Sequence, residues 1–121
     1  CHPVGLGDAK TTVRFSSSGS TSAITDDGDL EIQIETLDSF GIGGITFLKM
    51  DIEGAELGAL AGARETIRRC HPRLAICVYH QASDLWRIPR EVFAIRDDYT
   101  IYLRHYTEGV TETVMFFMPK K

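Results

Sequence analysis

Two short apolar runs with an amphipathic stretch between them constrain this chain more than any other feature. Ile45–Ile52 and Leu74–Tyr79 read as strands, and Ala55–Cys70 between them reads as a helix. Leu57, Leu60 and Ile67, with Ala61 and Ala63, give that helix an apolar stripe at helical spacing. Glu56 in its first turn and Arg68 and Arg69 in its last suit the helix dipole, and His71-Pro72 stops it. A strand, a helix and a second strand in this order predict a crossover joining parallel strands. Leu74–Tyr79 is apolar on both faces, which predicts cover on each side by helices.

The rest of the chain extends that unit. Thr11–Phe15 reads as a short strand, and Leu30–Thr36 alternates, with Leu30, Ile32 and Ile34 facing one way. Ser16–Ser22 reads as a polar loop and Asp26–Asp29 as a turn. Ser83 is placed to cap a helix over Asp84–Arg96, with Pro89 interrupting it. Tyr99–Tyr106 and Thr113–Met118 flank Thr107–Glu112, a hairpin signal that predicts an antiparallel final pair. The expected fold is α/β and doubly wound, a mainly parallel sheet with a C-terminal antiparallel hairpin. The expected organisation is one domain over residues 1–121.

Composition excludes several function classes. The net charge is −4 and no Lys/Arg cluster runs along one face, so the residues give no nucleic-acid footprint. The longest apolar run, near Leu74–Tyr79, is too short to span a bilayer, and no secretory signal is visible. Cys1, Cys70 and Cys77 read as free thiols of a reducing compartment, hence a cytoplasmic protein. Cys70, His71, Cys77 and His80 lack the C-x-x-C spacing of a structural zinc site, so no metal is assigned. Gly5-Leu6-Gly7 and Gly41-Ile42-Gly43-Gly44 do not follow a strand and open a helix, and read as turns. No G-x-S-x-G elbow offers a nucleophile.

The charges at the end of Ile45–Ile52 are the chemical signal. Ligands of open α/β sheets bind beyond the carboxyl ends of the strands. Asp51 and Glu53 lie at that end, and period-two geometry puts Lys49 and Asp51 on one face. Gly54 suits a tight strand-to-helix turn. His80 ends the next strand and His105 lies late in the one after, so carboxyls and imidazoles are expected on one rim. Two readings stay open here. The charges form a site, or they are a Lys–Asp ion pair and a helix-terminal carboxylate without chemistry.

"FLKMDIEGAELGALAGARETI" resembles the C-terminal signature of FkbM-type methyltransferases, a branch of the class I, S-adenosylmethionine-dependent fold. The resemblance continues through PRLAICVYH, DLWRIP, YTIYLRHY and ETVMFF, over roughly residues 30–118. It implies a Rossmann-like, seven-stranded sheet whose last strand is antiparallel. Ile45–Ile52 would be its fourth strand, Leu74–Tyr79 its fifth, and the final pair its sixth and seventh. The resemblance also implies catalytic roles for Asp51, Glu53 and His80 beside the transferred methyl group. Glu56 and His105 are assigned to the acceptor, and Asp8, in Gly7-Asp8-Ala9, to the adenine of the cofactor.

The implied function is O-methylation of a hydroxyl on a sugar or small metabolite by the full-length protein, with S-adenosylmethionine as cofactor. The family's N-terminal cofactor half has no counterpart here, so residues 1–121 read as the C-terminal part of a methyltransferase domain, inactive alone. The exposed inner strand predicts a homodimer through that sheet edge. The alternative is a non-catalytic, self-associating module keeping half of the fold. A third and remote reading is a small hydrolase using His80 and Asp51.

Overall fold

A computed structural model describes residues 1–16, 23–24 and 28–121. Residues 17–22 of the expected polar loop and 26–27 of the expected turn lie outside the described residues, while Ser16 ends β2.

Among the described residues, eight strands and three α-helices follow in the order β1 (Gly5–Leu6), β2 (Thr11–Ser16), β3 (Ala23–Ile24), β4 (Leu30–Glu35), β5 (Phe47–Met50), α1 (Glu56–Ala61), α2 (Arg64–Cys70), β6 (Arg73–Cys77), α3 (Asp84–Ile95), β7 (Tyr99–His105) and β8 (Thr113–Pro119), with a 3-10 turn at Asp38–Phe40 between β4 and β5. They form two four-stranded sheets, ordered β1-β4-β2-β3 and β5-β6-β8-β7.

The mainly parallel sheet is not what the chain builds. β1 with β4 and β5 with β6 pair in parallel, whereas β2 with β3, β2 with β4, β6 with β8 and β7 with β8 are antiparallel. The cause is insertion. After α3, β7 is laid down one place away from β6, and β8 turns back into the gap and takes both neighbours antiparallel. β5, β6 and β7 still run the same way, with β8 against them, so the hairpin expectation holds.

One face of this sheet makes the core. Leu74, Ile76, Met115 and Phe117 pack with Leu60, Ile67, Ile88 and Val92 of the helices. On the other face Ala75, Cys77 and Val114 form a small cluster with Tyr79 and Phe116, and among the described residues no helix residue joins it. Leu74–Tyr79 is therefore not covered by helices on both sides. Its small residues are buried under their larger strand neighbours instead.

The single helix expected over Ala55–Cys70 is split between α1 and α2. A tertiary contact breaks it. A side chain at Gly62 would bring its Cβ within 1.9 Å of the Gly7 carbonyl oxygen, so only glycine lets β1's trailing residue cross there. Asp38, far away in sequence, then caps the restarted helix. Its carboxyl oxygens accept the Glu65 and Thr66 backbone N–H groups at 3.0 and 2.8 Å.

Three local expectations also change. Gly5-Leu6 is a strand paired with Ile34-Glu35, not a turn. Ser83 makes no side-chain cap, and the Asp84 carboxyl instead accepts the Gln81 backbone N–H at 2.9 Å. Pro89 does not interrupt α3, which runs unbroken from Asp84 to Ile95 because Ile88, Val92 and Ile95 anchor one face in the core.

Candidate active site

β5 delivers its last residues into a turn that reverses sharply into α1. The Ala55 N–H bonds the Ile52 carbonyl at 3.1 Å, and both central residues hold positive φ, 56° at Glu53 and 95° at Gly54. Glycine accepts that conformation freely. For Glu53 it costs about 1–3 kcal/mol, which the surrounding packing has to overcome. The effect is to throw the Glu53 side chain back over the strand end.

His80 follows β6 and meets this turn. Its Nε2 lies 3.7 Å from Asp51 Oδ1 and 3.6 Å from Glu53 Oε2, and its Nδ1 lies 3.0 Å from Glu56 Oε1. One imidazole is thus flanked by three carboxyl groups from a single six-residue segment, Asp51 to Glu56. The ring is deeply set, with its side chain 8% exposed. Neither ring nitrogen has an aligned hydrogen-bond partner among the described residues, and nor does Glu56 Oε2.

The sequence leaves Glu56 either overhanging the crevice toward an acceptor or serving the helix dipole. It is 1% exposed, and its Oε1 accepts the Ile52 N–H at 3.0 Å, tying the turn to the first residue of α1.

Lys49 and Asp51 do share a face, with Nζ 3.7 Å from Oδ2. Tyr79 is a member of the site that the sequence reading overlooked. Its hydroxyl donates to Asp51 Oδ1 at 3.3 Å, and its ring leans on His80 with centroids 4.2 Å apart. The signal was present: Tyr79 shares the period-two face of Ala75 and Cys77, whose register places it beside Asp51. His105 stands apart. It lies at the same lip, but β8 intervenes, about two strand spacings or roughly 10 Å from β6, and its Nδ1 pairs with the Thr113 hydroxyl at 2.8 Å. Asp8 is exposed, with its backbone nitrogen near Gly58 of α1.

Beside the cluster opens a cavity of about 580 Å³ between the two sheets. Leu6, Val13, Phe15, Ile32 and Ile34 wall one side, and Asp51–Ala55 the other. It is an apolar chamber with two carboxyls at one end. Among the described residues no group of three or more His, Cys, Asp or Glu is arranged to hold a metal ion. No helix of the described residues is long and apolar enough to cross a membrane.

Burial and the nearby Asp51 carboxyl push the Cys77 thiol from 9.0 up to about 12. Burial, then the same carboxyl, raises the Tyr79 hydroxyl from 10.0 to about 12, and burial raises Tyr99 likewise. Each group is raised in the folded chain, so the fold favours its protonated form. That contribution is complete below the unfolded values, near pH 9–10, and is lost as pH climbs toward 12. Urea midpoints should therefore hold steady from pH 7 to about 9 and fall between 9 and 12. A midpoint unchanged at pH 11 would contradict the buried-hydroxyl and buried-thiol assignment.

The comparisons with known proteins fit this geometry. A family model described as the methyltransferase FkbM domain matches residues 3–107. The crystal structure of methyltransferase FkbM from Methylobacillus flagellatus KT is similar, at a TM-score of 0.80 and 36% identity. The alignment covers 97% of this chain and 28% of that one, so the chain spans a little over a quarter of that protein's length. No curated protein sequence matches. The family model takes in the parallel crossover, the turn with its carboxyls and His80, and on that match the chain belongs to the FkbM methyltransferase domain family.

Proposed function

We propose that this chain contributes the acceptor-side chemistry of an S-adenosylmethionine-dependent O-methyltransferase, acting in its full-length protein on a hydroxyl of a sugar or small metabolite. The observation that carries the reading is His80, a buried imidazole with no aligned partner, held between Asp51 and Glu53 at the strand ends. A group with unspent hydrogen-bonding capacity at such a rim is suited to meet a hydroxyl.

The residues present fit the cofactor. The Asp51 and Glu53 carboxyls at the end of an apolar chamber suit a cationic sulfonium with a flat ring system beside it. When bound, S-adenosylmethionine supplies an electrophilic methyl group. His80 Nε2 is the group that would take the proton from the acceptor hydroxyl. Asp51 and Glu53 then stabilise the imidazolium so formed. Tyr79 donates to Asp51 and so steadies where that carboxyl points. Positioning the acceptor over His80 supplies a further part of the acceleration. A cytoplasmic setting suits the three cysteines, all of which are free.

A second reading is favoured by one observation. β5 and β1 each end a sheet, and Phe47 on the β5 edge is 54% exposed. Such an edge templates strand addition, so self-association is the rival account of residues 1–121. Calorimetric titration with S-adenosylmethionine and light scattering on the same sample separate the two. The enzyme reading expects residues 1–121 alone to bind the donor weakly, and the full-length protein to bind it and transfer methyl groups to a hydroxylated acceptor. A full-length protein that neither binds the donor nor transfers methyl, while residues 1–121 form stable dimers, would favour the interaction module. Tight donor binding by residues 1–121 alone would overturn the idea that these residues are only part of the catalytic unit.

A further inference from the structure

We infer that Glu56 is a positioning residue that holds His80 in one tautomer, with the proton on Nδ1, and so presents the Nε2 lone pair to the acceptor. The inference rests on His80 being the proton acceptor proposed above, but the placement of its proton can be measured independently of any methyl transfer.

Three facts about Glu56 support it. It is 1% exposed, so its carboxyl has little access to an acceptor in solvent. Its Oε1 is fixed by the Ile52 N–H at 3.0 Å and cannot swing away without leaving that donor buried and unpaired. The same oxygen lies 3.0 Å from His80 Nδ1, nearer than either carboxyl is to Nε2, at 3.6 and 3.7 Å. The contact lacks hydrogen-bond alignment, and the imidazole has to turn to supply it. Catalytic hydrogen bonds commonly tighten in this way when substrate seats.

The proton on a neutral imidazole goes to the nitrogen with the better acceptor beside it, and a carboxyl at hydrogen-bond distance outcompetes two that stand further off. Glu56 then does for His80 what an orienting carboxyl does for any general base. It sets the ring's angle and tautomer without touching substrate. Tyr79 also leans on the His80 ring, with centroids 4.2 Å apart and the planes tilted by 39°.

The decisive measurement is the tautomer of His80 by long-range ¹H–¹⁵N correlation in ¹⁵N-labelled protein, at a pH where the ring is neutral. The Nδ1–H form is expected. Glu56→Gln keeps the shape and the acceptor for Ile52 but offers Nδ1 a neutral partner. Asp51 and Glu53 should then draw the proton to Nε2, reversing the ¹⁵N pattern. An Nε2–H ring in the unaltered protein would overturn the inference, as would a pattern unchanged by Glu56→Gln. The measurement on the unaltered protein decides the matter even if the variant folds poorly. In the full-length enzyme Glu56→Gln should lower kcat about tenfold or more with KM nearly unchanged, because a positioning residue acts after the acceptor is bound. If the tautomer behaves as stated but His80→Ala leaves turnover intact, the proton-acceptor reading fails while the placement of the proton stands.

Discussion

Phe117→Ala is expected to lower unfolding stability by about 3–5 kcal/mol. The side chain is fully buried in the middle of β8. Its ring meets Tyr99 nearly edge-on at 6.2 Å between centroids and Phe93 at 6.4 Å, so the truncation removes two aromatic contacts as well as filling atoms. Phe117 also sits opposite both Leu74 of β6 and Ile101 of β7, joining the strands on either side of β8. A void there cannot close by moving one element alone. Domains of this size are typically stable by about 5–15 kcal/mol, so the loss takes a large share of the total. Equilibrium urea unfolding followed by circular dichroism will show it as a strongly lowered midpoint. A shift under 1 kcal/mol would mean that the β8 face is not packed as described.

His80→Ala should cost the full-length enzyme about 10²–10⁴ in kcat, the usual worth of a well-placed general base. The loss should be largest near neutral pH and should shrink as hydroxide begins to compete for the acceptor proton. Folding should be less affected, because the imidazole has no aligned hydrogen bond to lose. Steady-state kinetics with donor and acceptor both saturating is the measurement. Turnover within threefold of the parent would remove His80 from the chemistry and leave its neighbouring carboxyls as the candidates to examine.

How much of this was readable in the residues depends on the range of the interaction. The strand-to-helix junction was legible because period two gives way to a helical stripe across Gly54, and both signals are local. From it follow the shared face of Lys49 and Asp51 and the meeting of Asp51, Glu53 and His80. The family signature lies in the same stretch. What was not legible is set by distant partners. The α1–α2 break comes from the Gly7 carbonyl, more than fifty residues upstream, and within Ala55–Cys70 only Gly62 hints at it, without saying what crosses there. β1 is two residues long and exists only because β4 offers an edge, so it has no alternation of its own to read. Glu56 looked like a surface acid at a helix start, and only the arrival of His80 from β6 makes it a buried partner. The sheet was misjudged for the same reason, since strand order lies in no local pattern.

That strand order has a consequence for how the protein is made. β8 follows β7 in the chain yet lies between β6 and β7. Translation proceeds at roughly 5–20 residues per second, so β6 and β7 emerge before the strand that separates them. Until Thr113–Pro119 clear the ribosome, the inner edges of both are raw, and their correct spacing has to be kept open against the simpler option of closing on each other. A nascent chain paused just beyond β7 is therefore where chaperone binding should concentrate.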